Sequence, residues 1–150
     1  MSTTRPLPVS QMRALHAPAS RAAVVAGALL AGAGGAWILR TFDPNAAGSL
    51  FPPCVFHLFT GLWCPGCGIT RALHALAHGG VLRAWAMNPL VVIALPLLGL
   101  MLWQWAAGRR MLPGPLHRGA HDGRVWIGVL LLFGVLRNLP WWPFAWMAPG

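Results

Sequence analysis

The sequence has no lysine, no glutamate and no tyrosine, and its only acids are Asp43 and Asp122. Without glutamate, the carboxylate base of a zinc hydrolase would have to be one of those two residues, and neither sits in a recognisable motif. The positive charge is all arginine, eleven residues giving a formal net charge of +9. These arginines lie beside apolar segments, not in one patch, and there is no aromatic stacking surface interleaved with them, which argues against nucleic acid as a partner. Charged residues make up 9% of the chain against 57% hydrophobic, a balance outside the soluble globular range. The chain reads as a membrane protein whose arginines flank its spans.

Three apolar segments stand out. Residues 22–39 form an uncharged run bracketed by Arg21 and Arg40, long enough to cross a hydrocarbon core of about 30 Å. Gly27, Ala31 and Gly35 recur every four residues along it, a small-residue face for self-association or for another membrane helix. The basic leader and the Ala31-Gly32-Ala33 triplet also suit a cleaved secretory signal, so both readings stay open. Residues 89–107 form the clearest span, with Asn88 as N-cap, proline at the first helical position and Pro96 inside to bend it. A third segment, residues 125–146, is interrupted by Arg137, Asn138 and Pro140, so its outer end should be broken. Trp141, Trp142 and Trp146 suit a headgroup interface.

The expected fold is therefore an all-α integral membrane protein: three transmembrane helices with a short amphipathic helix in the first loop. Residues 1–21 read as a disordered basic tail, residues 43–88 as a loop module, and residues 108–124 as a basic loop. Arg5, Arg13 and Arg21 precede the first span, and Arg109, Arg110, Arg118 and Arg124 fill the short loop. By the positive-inside rule both face the cytoplasm, which puts the 43–88 module on the outer side of a bacterial inner membrane.

That module holds every cysteine of the chain: Cys54 and His57 form a C-x2-H pair, and Cys64 and Cys67 a C-x2-C pair. Such spacers let two ligands converge on one point, so the four residues have the ligand set of a small Cys3His zinc knuckle. Cys64 and Cys67 could instead cycle between dithiol and disulfide, or the cysteines could be plainly structural. A Cys2His2 set using His74 and His78 is disfavoured by a spacer of six residues after Cys67. Six residues also separate Cys64 from Arg71, one too many for a phosphatase-like loop.

A helix is expected over residues 69–79, with Ile69, Leu73, Leu76 and Ala77 on its apolar face and Arg71, His74 and His78 on the opposite one. Arg137, a charge inside an apolar segment, should either snorkel to headgroup phosphates or find a partner, with Asp43 on the same side to meet it. Asn138 accompanies it.

The string Cys54-x2-His57-x2-Thr60-Gly61-x2-Cys64-Pro65-Gly66-Cys67-Gly68-x-Thr70-Arg71-Ala72, with His78-Gly79 and Asn88-Pro89-Leu90, resembles the bacterial membrane family known as domain of unknown function 2752. Asp43-Pro44 and the run Leu136 to Phe144 are similar to that family's opening and closing motifs. The resemblance implies a small multi-pass helical membrane protein and supplies no activity. Gly80 stands where the family pattern commonly has Asp, removing a possible acidic ligand. The leading expectation is a non-enzymatic accessory or assembly component, held in the lipid bilayer, whose Cys/His knuckle binds one zinc ion. The alternative is a membrane thiol oxidoreductase using Cys64 and Cys67.

Overall fold

A computed structural model describes residues 18–46 and 48–141; Trp142, Trp146 and the first seventeen residues of the expected tail lie outside the described residues. Every regular element among the described residues is a helix. We label them α1 (Pro18–Thr41), α2 (Val55–Thr60), α3 (Ile69–Ala77), α4 (Val81–Met87), α5 (Pro89–Ala107), α6 (Gly114–His121) and α7 (Gly123–Leu136).

Two helices are long and apolar enough to cross a membrane, over Ala19–Thr41 and Pro89–Ala107, close to the runs expected from the sequence. They run antiparallel. Arg21, near the start of α1, approaches Gly108, the C-cap of α5, while Leu39 and Arg40 at the other end of α1 bond to the α3 segment that precedes α5. Asn88 caps α5 as expected: its Oδ1 accepts the Val91 N–H at 3.2 Å, ahead of Pro89 in the first turn.

In the third expected span the helix ends at Leu136, directly before Arg137, Asn138 and Pro140, and residues 142–146 lie outside the described residues. α7 has 14 residues, a rise of about 21 Å at 1.5 Å each, which alone falls short of a hydrocarbon core. Among the described residues it reaches span length only when joined to α6, and the pair is bent by 76°. The stretch expected to be a plain basic loop therefore holds a helix of its own. Pro115 lies in its first turn, where a proline forfeits no hydrogen bond. Asp122 ends α6 and starts α7, its carboxylate accepting the Arg124 N–H at 2.9 Å.

The module between α1 and α5 is more helical than expected, since α2 and α4 flank the amphipathic α3. α3 ends in a Schellman turn: Gly79 takes φ +78, its N–H donates to Leu76 O, and the Gly80 N–H donates to Ala75 O at 2.8 Å. The reversal lays α4 against α3 through Ala72, Ala75 and Ala84, all almost fully buried, with Leu76, Met87 and Val92 packed around them. The face that packs is thus the small one, not the Ile69/Leu73 side, and Ile69 is exposed. Small side chains let helix axes approach closely.

Candidate metal centre

The sulfurs are brought together by two tight reversals. α2 ends at Gly61, whose φ of +70 turns the chain back so that residue 64 returns beside residue 54. Then the Cys67 N–H donates to Cys64 O at 3.0 Å, closing a turn through Pro65-Gly66, and Gly68 with φ +80 leads into α3. The Cys64 sulfur ends 3.0 Å from that of Cys67 and 3.3 Å from that of Cys54, and all three sulfurs lie within 4.8 Å of one another. All three are free thiols. A tetrahedral zinc with Zn–S bonds of about 2.3 Å needs sulfurs roughly 3.8 Å apart, within a side-chain adjustment of this arrangement. The trio is thus geometrically able to coordinate a metal ion such as zinc.

What holds the loop is a set of buried amide and guanidinium donors from distant helices. Arg137, 1% exposed, donates through one terminal nitrogen to Cys64 O at 2.9 Å and Cys67 O at 3.0 Å. Its other terminal nitrogen reaches Met87 O at 3.4 Å, and the guanidinium lies 5.0 Å from the Phe133 ring centre. Asn88, fully buried, donates from Nδ2 to both Pro65 O and Cys67 O at 3.1 Å while its Oδ1 caps α5. Asn138 grips Trp63 on both sides, Oδ1 accepting its N–H and Nδ2 donating to its carbonyl, each at 2.8 Å. Pro65 then packs on Gly134 so closely that a Cβ there would fall 2.9 Å from the proline ring.

Arg137 therefore neither snorkels nor meets Asp43. It is spent on the loop carbonyls, and Asp43 instead lies 3.7 Å from His74. With its carbonyls tied inward, the turn leaves its sulfurs facing Cys54, and a buried positive charge stands behind them.

The thiols are not equivalent. The His57 backbone N–H, aided by the neighbouring thiols, brings Cys54 down to about 7. Burial, aided by hydrogen bonding to the Cys64 thiol, pushes Cys67 up to about 12. At neutral pH Cys54 is therefore far readier to ionise than Cys67.

His57 lies outside the sulfur trio. Its ring stacks on Trp63, 3.9 Å between centroids, and its Nδ1 faces Leu62 O at 3.3 Å. It does line the same cavity, about 670 Å³, as Cys54 and Cys67, and Arg71 lines that cavity too. His74 and His78 share a helix face, as their spacing predicts, but turn away from the cysteines. His74 Nδ1 donates to Leu39 O at 2.6 Å and ties α3 to α1; His78 Nδ1 donates to His74 O. They line a separate cavity of about 600 Å³ with Arg83. The Asp43 carboxylate accepts two bonds from Asn45, which hold it below the usual carboxylate range.

Sequence reasoning reached Asn88 only as a helix cap and passed over Gly134. The first had a signal, the Asn-Pro-Leu run within the family-like string. The second had none, because a close approach between segments far apart in the chain leaves no local trace.

No curated protein and no solved structure matches the chain. A family model described as "Protein of unknown function (DUF2752)" matches residues 54–102, from the first cysteine into α5, so over that stretch the chain is similar to that family.

Proposed function

We propose that this is a non-enzymatic accessory or assembly component of a bacterial inner membrane whose cysteine knuckle holds one zinc ion. The observation carrying this reading is the convergence of three thiols within 4.8 Å of one another on a loop tied down by buried donors. The loop has no apolar core of its own, and a structural ion would supply the cross-link it lacks. Cys54, Cys64 and Cys67 are the protein ligands; His57, in the same cavity, is the nearest fourth donor in sequence and completes a Cys3His set by leaving its stack on Trp63. Arg71, Arg137 and Asn138 serve the site as neighbours and not as ligands.

The proposed order along the chain is a basic cytoplasmic tail over residues 1–21, spans at 22–39, 89–107 and 125–146, an outer module at 43–88 and a cytoplasmic loop at 108–124. The arginine distribution supports this orientation. A face of Gly27, Ala31 and Gly35 left open on α1 suits a second membrane helix.

Metal analysis of protein purified in mild detergent, with thiols counted before and after chelation, tests the reading. One zinc per chain, with thiols shielded until chelation, is expected. Metal-free protein carrying a readily reduced disulfide would overturn it in favour of a thiol oxidoreductase. That second reading has its own support in the 3.0 Å approach of Cys64 and Cys67. A reporter fused to the C-terminus tests orientation: cytoplasmic signal there would reverse it.

A further inference from the structure

We infer that the cavity beside the cysteines is a binding site for the phosphate of a lipid headgroup, with Arg71 as its counter-charge. Cys54, His57 and Cys67 line the same cavity, so the site adjoins the proposed metal centre but draws its phosphate contacts from other residues. The cavity, about 670 Å³, is large enough for a headgroup and has a polar side built by Asn45, Ser49, Thr70 and Arg71. Arg71 is the one formally charged side chain among the described residues that line it, and no carboxylate does.

Arg71 is half-buried, yet among the described residues it makes no hydrogen bond and no ion pair. Two other arginines of this end are engaged, Arg40 donating to Ala77 O at 2.7 Å and Arg137 serving several carbonyls, while Arg83, beside the other cavity, is exposed. The nearest acid is committed elsewhere, Asp43 to Asn45 and His74. A guanidinium drawn partly out of water, with its planar fork of donors unused, is complemented by an anion from outside the chain. Phosphate oxygens match that fork, and the hydroxyls of Ser49 and Thr70 supply further donors.

A lipid is favoured over a free ion by the surroundings. From Pro44 to Thr70 the chain carries no Asp, Glu, Lys or Arg. Within that stretch Leu50, Phe56, Leu58 and Phe59 are exposed, Phe59 at 86%. α2, six residues long, cannot span, so these side chains mark a segment lying in the membrane interface, where headgroup phosphates are found. The cavity is lined on its apolar side by Phe51 and Trp63, suited to the glycerol and first methylenes of a lipid.

Calorimetric titration of the full chain in nonionic detergent tests this with three probes: dihexanoyl phosphatidylglycerol, inorganic phosphate and dihexanoylglycerol. The phospholipid should bind at least tenfold tighter than either other probe. Arg71→Gln should lose tenfold or more of that affinity while helix content by circular dichroism stays unchanged, and Arg71→Lys, which keeps the charge, should recover part of it. Inorganic phosphate binding as tightly as the phospholipid would overturn the lipid assignment, and equal binding of dihexanoylglycerol would overturn the role of phosphate. Unchanged affinity in Arg71→Gln would overturn the site. Zinc counted in the same samples separates this from the metal reading: headgroup binding intact in metal-free protein supports the inference even where that reading fails.

Discussion

The two polar connections of this protein are secured in opposite senses. The loop through Cys64 and Cys67 offers its carbonyls, which buried donors from α5 and from the end of α7 collect: Asn88 and Arg137. The connection after α5 offers its N–H groups instead. Gln104 Oε1 accepts those of Met111 at 2.9 Å and Leu112 at 3.1 Å, and Asp122 accepts that of Arg124. The first arrangement gathers distant elements around a positive charge; the second uses near neighbours in the chain. A turn held by its carbonyls sets a buried guanidinium behind the sulfurs, a charge that works against the burial holding the Cys67 thiol up. The basic connection has arginines and histidines in number but no such focus.

The sharpest way to break this contrast is Arg137→Leu. It leaves the Cys64 and Cys67 carbonyls without their guanidinium donor, and we expect a loss of about 3 to 5 kcal/mol of stability with release of the sulfur cluster. Thermal unfolding in detergent and thiol accessibility measure it; an unchanged midpoint would mean the buried arginine is not what holds the loop. Arg137→Lys should recover only part, since a point donor cannot bridge carbonyls as a planar fork does.

Gly134→Ala tests the same loop from the packing side. A Cβ placed 2.9 Å from the rigid Pro65 ring should push the turn away from α7, at a cost of roughly 1 to 3 kcal/mol. The same readouts apply, and a neutral result would show that the turn can move freely.

The asymmetry among thiols predicts their chemistry in metal-free, reduced protein. At pH 7 iodoacetamide should label Cys54 roughly ten times faster than Cys67 or more, because only the thiolate attacks. Cys54 labelling should fall as pH drops below about 7, where its thiol takes up a proton, and Cys67 should stay slow until far higher pH. Peptide mapping by mass spectrometry gives the order, and Cys67 reacting first would contradict it.

Gln104→Ala should have the smallest effect. It strips acceptors from two N–H groups of the basic connection, worth about 1 to 2 kcal/mol, and should leave thiol reactivity at the other end unaltered. A change in cysteine labelling would show the two regions are coupled.

Much of this was legible in the residues. Asn88-Pro89 marks the start of α5 and Gly79-Gly80 the end of α3, because caps and left-handed turns are decided by neighbours in the chain. α4 was not legible, since seven residues between Gly80 and Asn88 are too few to display a helical period. Nor was the buried face of α3, where Ala72 and Ala75 pack in place of the larger Ile69. Hydrophobic patterning points to the large residues, whereas close approach of two helices selects the small ones. α6 was hidden by Pro113-Gly114-Pro115, which read as a loop although proline is at home in a first helical turn.

The sequence by itself determined the all-helical membrane character, the two long spans and the clustering of all cysteines in one short segment, because hydrophobic length and tight turns are local properties. Only the tertiary structure decided that Cys54 joins Cys64 and Cys67 while His57 turns aside onto Trp63. It also decided that Arg137, 73 residues from Cys64 along the chain, is the donor behind the loop. A buried charge must find acceptors wherever the fold supplies them, and which carbonyls those are depends on how α7 meets the turn, something no local pattern encodes.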